Sequence, residues 1–275
     1  MRRPFEVFLA VSAGLILAFL LLPILALFLR IPPEDLLSQL TSQVAVDALL
    51  VSVKTSVIAH AVVLLLGTPT AYLIATRRFR GRSLVLTLIE LPLVLPPAVA
   101  GIALFAAFGR AGLLGETLHA AGISIPFTQT AVVFAIIFVS SPFYIRLGIA
   151  AFEALDPALI EASRTLGAGP RRTFFRVALP LAAGGLSAAS ALAFARGLGE
   201  FGATIMFAGS LQRVTQTLLL AIYAEFDKSF DATLAMGGVL VIVSALLLLT
   251  LRIALSWQRS PSNTSPSLFG LSSST

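Results

Sequence analysis

The chain has 275 residues, of which 57% are hydrophobic and 12% are charged, and its mean hydropathy is +0.97. A water-soluble domain of this length does not need so much apolar surface, so the composition excludes an ordinary soluble globular protein. The chain has no cysteine, which excludes a disulfide framework and thiolate chemistry. Its two histidines, His60 and His119, lie far from other ligand-type residues, and we predict no metal site.

Six stretches with few or no charges are long enough to cross a bilayer, which takes about 20 helical residues. They cover residues 7–29, 55–76, 84–108, 127–145, 181–207 and 232–251. We therefore predict an all-α integral membrane protein with six transmembrane helices. Such a protein is a multi-pass component of the cell membrane (the inner or plasma membrane), and the lipid bilayer is its immediate surroundings.

This pattern divides the chain into three regions. Residues 1–46 are predicted to form the first transmembrane helix and an outer loop, in which Pro32 and Pro33 precede an amphipathic surface helix. Residues 47–255 are predicted to form the main transmembrane domain. Residues 256–275 are rich in serine and are predicted to be a disordered tail.

Basic residues are distributed unevenly between the two sides of the predicted spans. One side carries Arg2, Arg3, Arg77, Arg78, Arg80, Arg82, Arg164, Arg171, Arg172, Arg176, Arg252 and Arg259. The opposite side carries Arg30, Arg110, Arg213 and Lys228. Arginine-rich connections stay in the cytoplasm, so both termini and the 153–180 loop are predicted to be cytoplasmic. The net charge of +6 and the pI of 10.7 reflect this asymmetry, and we predict no nucleic-acid binding.

The segment between spans four and five predicts a helix, a turn and a second helix. Asp156 can cap a helix that starts at Pro157, where the missing N–H group costs no hydrogen bond. Gly167 suits the left-handed position just after that helix. A second, short helix can start at Pro170 and must end before Pro180, because proline breaks the hydrogen-bond ladder of a helix.

The first of these two helices has an apolar face and a charged rim. The residues on the apolar face, at helical spacing, are Leu159, Ala162, Ser163 and Leu166. On the rim, Glu161 and Arg164 are spaced to form an ion pair. Such a surface fits either docking onto a partner protein or an amphipathic loop that lies among lipid headgroups.

Two charged residues lie inside the fifth predicted span, where a charge is costly. Arg196 and Glu200 are four residues apart and share one helical face. They form either a neutralising pair that holds helices together or part of a pore lining. Ala195, Gly199 and Ala203 make a face of small residues, which lets two helices approach closely and can form the narrowest part of a two-copy pore.

The third predicted span contains Pro92, Pro96 and Pro97. Broken helical backbone is tolerated at membrane depth only where protein or a watery cavity satisfies it. The prolines therefore predict a kinked helix that either lies beside a pore or serves packing alone. Ser56 in span two is a further candidate pore contact, although lone hydroxyls in such helices commonly bond their own backbone. Residues 109–126 carry four glycines and are predicted to form a loop.

The chain carries no P-loop, because neither of its lysines, Lys54 and Lys228, follows the required glycines. It therefore cannot hydrolyse ATP by the usual means. No cluster of histidine, aspartate or glutamate suggests another active site. We predict that the chain is not an enzyme and that it binds no cofactor itself.

Residues 161–180 resemble the E-A-A-x3-G-x9-I-x-L-P loop of importer-type ABC permeases. Ser163 replaces the second alanine of that motif, and Val177 stands in the isoleucine position. In that family the loop docks into the ATP-hydrolysing subunit, and the resemblance implies the type I ABC importer permease fold. The coupling-loop residues that it implies are Glu161, Ala162, Ser163, Arg164, Leu166, Gly167, Ala168, Arg171, Phe174, Leu179 and Pro180.

The G-E-F-G-A-T sequence at 199–204, with T-Q-T-L at 215–218 and A-I-Y at 221–223, is similar to the molybdate permease branch of that family. The similarity covers residues from about 47 to 250 and does not separate molybdate from tungstate. The candidate pore and gate residues are Arg196, Gly199, Glu200, Phe201, Gly202, Ala203, Thr204, Pro96, Pro97 and Ser56.

The family implies a homodimer of this chain, two cytoplasmic ATPase subunits that use ATP and magnesium, and an extracytoplasmic substrate-binding protein. The candidate contacts for the binding protein are Gly209, Ser210, Gln212 and Gln216. The function so predicted is the import of an oxyanion, molybdate or tungstate. The alternatives are a permease for sulfate, thiosulfate or another small solute, and an ATP-independent channel or secondary transporter, of which inverted repeats are typical.

Overall fold

The computed structural model describes residues 2–31, 38 and 41–258, and all regular structure in that part of the chain is helical. The helices are α1 (Arg2–Arg30), α2 (Gln43–Thr76), α3 (Arg82–Val94), α4 (Pro97–Phe108), α5 (Gly115–Ala120), α6 (Gln129–Glu153), α7 (Pro157–Thr165), α8 (Pro170–Leu198), α9 (Gly202–Ala208), α10 (Leu218–Phe226) and α11 (Phe230–Gln258). The predicted all-α class is confirmed for these residues.

Four of the described helices are long and apolar enough to cross a membrane, namely α1, α2, α6 and α8. Helices α3 and α4 together make a fifth candidate, but they are bent by 115° where they meet. The sixth predicted span lies in α11, whose described apolar part, Phe230–Leu246, is shorter. By length and composition, the described residues therefore provide four or five of the six predicted spans.

Helix α6 is the centre of the fold, with α2 and α8 packed against it. Fully buried alanines at these contacts, such as Ala59 and Ala189, let the helices approach closely. Gly67 of α2 lies against the Tyr144 ring of α6, and a Cβ atom at Gly67 would stand 2.7 Å from that ring. The N-terminal half of α6 also packs against α4 and α9, around the buried side chains of Ile136 and Phe207.

Helix α1 stands apart from this core. None of its apolar span is buried, and its main contact is with α11, where Leu27 reaches Gly237. A helix with so many exposed apolar side chains has to be covered by lipid or by another protein chain.

Two ion pairs attach α3 to α6, and the sequence did not suggest either of them. At the start of α3, Arg82 Nη2 lies 2.6 Å from Glu153 Oε1, while Arg82 Nε donates to the Ile74 carbonyl at 3.1 Å. Near the end of α3, Glu90 pairs with Arg146. Helix α3 is therefore fixed to the half of α6 that leads into the 153–180 loop.

The prediction that the helix from Pro170 ends before Pro180 is wrong. Helix α8 continues through Pro180 because Phe174–Ala178 forms a π-helical turn. Within it the Leu179 N–H donates to the Phe174 carbonyl, five residues back rather than four. An ordinary α-helix would bring the proline ring against the carbonyl four residues before it, and the changed hydrogen-bond register relieves that conflict.

The prediction of one helix over residues 181–207 is also wrong. Helix α8 ends at Leu198, and α9 begins at Gly202 after a short non-helical connection. The small-residue face predicted from Ala195, Gly199 and Ala203 is therefore interrupted, because its last member belongs to another helix. The close helix approach occurs elsewhere, between α4 and α9.

The connections contain more helix than predicted. The loop expected at 109–126 includes the short helix α5, and the 208–230 connection includes α10, which packs against α2 and α11. Helix α11 continues to Gln258, past the boundary predicted at 255. The predicted surface helix after Pro33 and the tail from 259 onward lie outside the described residues.

Candidate functional site

The loop between α6 and α8 has the cap at each end of α7 that the sequence predicts. Asp156 Oδ1 accepts the Ala158 N–H at 2.9 Å, and Pro157 is the first residue of the helix. After the helix, Gly167 has a φ of +81°. The Gly167 N–H donates to the Arg164 carbonyl and the Ala168 N–H donates to the Ser163 carbonyl, which is the Schellman arrangement.

Helix α7 presents an uncovered apolar face. Leu159 and Leu166 are 47% and 87% exposed, and Ala162 is exposed between them. On the rim, Glu161 and Arg164 are also exposed, but in the described structure they form no ion pair with each other. An exposed leucine face at the tip of a rigid, capped helix is suited to insertion into a partner protein.

Ser163 faces inward, away from the exposed leucines. Its hydroxyl lies 3.1 Å from the hydroxyl of Thr173, which is buried, and it donates to the Ile160 carbonyl at 2.9 Å. The serine that departs from the family motif therefore ties α7 to the start of α8. The serine in place of the motif's second alanine was visible in the sequence, but nothing in the sequence identified Thr173 as its hydrogen-bond partner.

The rest of the loop forms the start of α8. The Phe174 ring packs at a tilt of 58° against the Tyr72 ring of α2, with the ring centroids 4.8 Å apart, so the π-helical turn is anchored to the helix bundle. Ala168 is half-buried in the turn, and Arg171 is exposed. Leu179 and Pro180 follow the π-helical turn within α8. An open hollow at the start of α8 is lined by Gly169, Pro170, Arg171, Arg172, Phe175 and Arg176.

At the other end of α8, Arg196 and Glu200 form an ion pair. Arg196 Nη1 lies 3.0 Å from Glu200 Oε2, and the exposed fractions of the two side chains are 29% and 1%. The second carboxylate oxygen of Glu200 accepts the Ala203 N–H at 2.7 Å. Glu200 therefore joins the end of α8 to the start of α9, where it satisfies a free backbone donor.

The start of α9 packs against α4 with no room for larger side chains. A Cβ atom at Gly202 would lie 2.6 Å from Pro97 Cβ, and one at Gly101 would lie 2.6 Å from the Ala203 carbonyl oxygen. Pro96 immediately precedes α4 and marks the break in the third predicted span. The proline segment and the G-E-F-G-A-T segment, chosen separately from the sequence, thus meet in the structure.

A cavity of about 110 Å³ lies where these segments meet. Its lining consists of Pro92, Leu93, Leu95, Pro97, Ala100, Val139, Phe143 and Arg196. Among these described lining residues Arg196 alone has a charged side chain, and Glu200 pairs with it. A guanidinium so placed can offer N–H donors to a small anion without the full attraction of an isolated cation.

Four further pore candidates are not among the residues that line this cavity, namely Gly199, Phe201, Thr204 and Ser56. Gly199 is exposed, and the Phe201 ring lies 5.1 Å from that of Tyr223. Thr204 is fully buried, and its hydroxyl has no hydrogen-bond partner among the described residues. Ser56 is buried in a separate, tightly packed region beside Ser140 and does not line the Arg196 cavity.

The sequence missed a hydrogen bond in that second region. His60 Nε2 lies 2.8 Å from the Ser190 hydroxyl, which joins α2 to α8. Thr55 and Ser140 bond their own helices, as expected: Thr55 donates to the Val51 carbonyl and Ser140 to the Ile136 carbonyl, both at 2.7 Å. The sequence showed His60 as a lone polar residue in an apolar span, but it did not identify Ser190 as the hydrogen-bond partner.

The four candidate contacts for a binding protein lie between α9 and α10. Gly209 has a φ of +67°, and Gln212 is exposed. Gln216 is buried and its amide lies 3.3 Å from the Ser210 hydroxyl, so these two side chains hold the connection together. Within the same connection, Arg213 Nε donates to Asp47 Oδ2 at 2.8 Å and fixes the connection to the start of α2.

The family described as "Binding-protein-dependent transport system inner membrane component" matches residues 64–258, which include both the α7 loop and the Arg196 cavity. The chain belongs to this family. Membership confirms the predicted class, a multi-pass component of a membrane transport system rather than an enzyme.

Individual members of the family and one solved structure show how far the similarity extends. The molybdenum transport system permease protein ModB of Mycobacterium tuberculosis is 45% identical over 248 residues, 90% of this chain and 92% of that protein. The sulfate transport system permease protein CysW of Synechococcus elongatus is 38% identical over 66% of this chain and 65% of its own. A bacterial ABC transporter involved in the import of alginate has the same fold, with a TM-score of 0.72, 17% identity and coverage of 94% and 98%.

Proposed function

We propose that this chain is the permease subunit of an ATP-driven importer that carries molybdate, and tungstate with it, from a binding protein into the cytoplasm. The identity of 45% over nearly the whole length to a molybdenum permease supports the substrate. In the proposed assembly, two copies of the chain form the pathway. Two cytoplasmic subunits hydrolyse magnesium-bound ATP, and an extracytoplasmic protein delivers the oxyanion.

The observation that carries this proposal is the continuous helix α8. It starts beside α7 and passes Arg196 two residues before its end at Leu198, and its 29 residues span about 40 Å. Movement of a partner docked on α7 therefore reaches the Arg196 cavity through one helix. Ser163 and Phe174 fasten its near end to α7 and α2, and Glu200 fastens its far end to α9.

Arg196 is the residue that we assign to the oxyanion. Losing water is costly for a doubly charged anion in an apolar pore, and a guanidinium N–H fork offsets part of that cost. Because Glu200 neutralises Arg196, binding stays weak enough for release. Selection among oxyanions is then left to the binding protein, and the permease provides the path and couples it to ATP hydrolysis.

The proposed topology has six crossings and both termini in the cytoplasm. It counts the bent pair α3 and α4 as one crossing and α11 as the last. The Arg82–Glu153 pair supports it, because it places the arginine-rich 77–82 connection on the same side as the α7 loop. The Arg213–Asp47 pair likewise joins the connection between α9 and α10 to the start of α2, and the topology assigns both to the outside.

The absence of cysteine from the sequence allows a clean test of this topology. Arg80→Cys and Gln212→Cys each introduce a single thiol at an exposed position, on opposite sides in our proposal. We expect a membrane-impermeant maleimide to label Gln212→Cys in intact spheroplasts, and Arg80→Cys only after permeabilisation. Labelling of both variants in intact spheroplasts would refute the topology.

The substrate is tested with the complete importer in proteoliposomes. We expect ATP hydrolysis to rise when the binding protein is loaded with molybdate or tungstate, and to stay at its basal rate with sulfate. The similarity to a sulfate permease makes sulfate the second candidate, and stimulation by sulfate alone would transfer the assignment to it. Failure of the chain to associate with any ATPase would overturn the proposal and favour an ATP-independent channel.

A further inference from the structure

A cleft of about 700 Å³ opens behind α7, between the C-terminal ends of α2 and α6. One wall is apolar and is formed by Tyr72, Phe152 and Ile160, with the rings of Tyr72 and Phe152 in edge contact at 5.2 Å. The cleft differs from the exposed leucine face of α7, because Ile160 points away from Leu159 and Leu166 into the bundle.

The rim of the cleft carries more positive than negative charge. Four arginines and two glutamates line it. The Arg82–Glu153 pair neutralises one charge of each sign. Arg77, Arg78 and Arg164 remain, and none of these three has an ion-pair partner among the described residues. Among the described residues that line the cleft, Glu161 is the one acidic side chain left to oppose them, so the rim carries an excess of positive charge that an anion would neutralise.

The position of the cleft limits what that anion can be. Helices α2 and α6 are both long enough to cross the membrane, and the cleft lies at the ends of both. Arg77 and Arg78 directly follow α2, and Tyr72 lies about one helical turn before its end, so a basic rim and an apolar wall stand side by side at the end of a helix long enough to cross the membrane. A ligand that carries a phosphate and an apolar chain satisfies both parts of the cleft.

We propose that this cleft binds an anionic phospholipid, with its phosphate against Arg77, Arg78 and Arg164 and an acyl chain against Tyr72 and Phe152. The proposal rests on the cytoplasmic location of the α7 loop in the proposed function. Basic pockets between membrane helices on that side have the chemistry that recognises anionic headgroups. Because Arg164 belongs to α7, a bound lipid holds the docking helix against the membrane.

The test is native mass spectrometry of the purified chain titrated with phosphatidylglycerol. The test variant is Arg77→Gln with Arg78→Gln. The control is Arg80→Gln, which removes an exposed arginine of the same connection that does not line the cleft. We expect binding to weaken about fivefold for each cleft arginine removed, since each basic residue near the surface contributes about that factor. The control should bind as the unmodified chain does.

Four results would overturn the proposal. Equal weakening by Arg80→Gln would show a diffuse charge effect, and equal binding of phosphatidylcholine would show that the negative charge is irrelevant. Competition by glycerol phosphate as strong as by the whole lipid would identify a small-anion site. Complete loss of the lipid on addition of the ATPase subunit would assign the arginines to that partner.

This measurement is independent of the proposed transport activity. Lipid retention is read on the permease chain alone, whereas substrate assignment is read from stimulated ATP hydrolysis. Lipid binding with no oxyanion stimulation would therefore remove the substrate and keep the cleft. If oxyanion stimulation is unchanged in phosphatidylcholine and no lipid is selectively retained, the substrate assignment stands and the lipid-binding cleft is rejected.

Discussion

Replacing Gly167 by valine is expected to reduce substrate-stimulated ATP hydrolysis strongly while the chain still inserts into the membrane. Gly167 has a φ of +81°, and no neighbouring atom lies within 4 Å of a Cβ at this position. The effect therefore comes from backbone conformation alone. A β-branched residue in the left-handed region costs about 1–2 kcal/mol, which disfavours the native turn by a factor of about 5–30. Loss of the turn displaces the exposed Leu166 and changes the orientation of the exposed face of α7.

Gly169→Val is the matched control for this experiment. It makes the same change two residues away, in equally open space, at an extended backbone position (φ −66°, ψ 165°) that valine adopts readily and that suits a residue before proline. We expect it to support normal coupling. Membrane insertion is followed by fractionation, and coupling by stimulated hydrolysis in proteoliposomes. Normal coupling by Gly167→Val would show that the α7 turn is not part of the docking surface.

Replacing Arg196 by methionine is expected both to destabilise the chain and to stop transport. The Glu200 carboxylate is 1% exposed, and Arg196 is its only cationic partner among the described residues. Removing one member of a buried ion pair costs about 3–5 kcal/mol, because the other charge is left uncompensated. The midpoint of thermal unfolding in detergent should fall clearly, and oxyanion uptake should fall to background.

A second substitution separates the two effects. Glu200→Gln in the Arg196→Met background removes the stranded charge and retains an oxygen that can accept the Ala203 N–H. We expect the unfolding midpoint to recover while uptake stays at background, because the anion still has no guanidinium to contact. Recovery of uptake with recovery of stability would show that the pair is purely structural, which is the alternative that the sequence left open.

Local features of the 153–180 loop were predictable from the sequence because each is set by residues a few positions apart. Asp156, Pro157 and Gly167 define the two ends of α7 by capping rules, and the structure has them in those roles. The same capping rules did not predict that α8 continues through Pro180. A π-helical turn adds a residue to the hydrogen-bonded ring, and no residue propensity in the sequence from Phe174 to Ala178 predicts this addition.

In the candidate pore, too, the sequence showed local features but did not show which distant residues meet. The charge of Arg196 and Glu200 within a hydrophobic stretch, and the paired prolines of span three, were visible as exceptions to the apolar pattern. Their proximity depends on the packing of α4 against α9, where Gly101 and Gly202 permit contact. Contacts between residues so far apart in sequence depend on tertiary packing, which is why the Glu90–Arg146 pair was also missed.

The isolation of α1 has a consequence for how the protein is made. Its main partner, α11, begins about 200 residues later in the chain, and a ribosome takes about 10–40 s to synthesise that length. During that interval α1 has none of its principal tertiary contacts and depends on surrounding lipid for its stability. Insertion of α1 therefore precedes the contact between Leu27 and Gly237, and the closing of that contact is a late step in biogenesis.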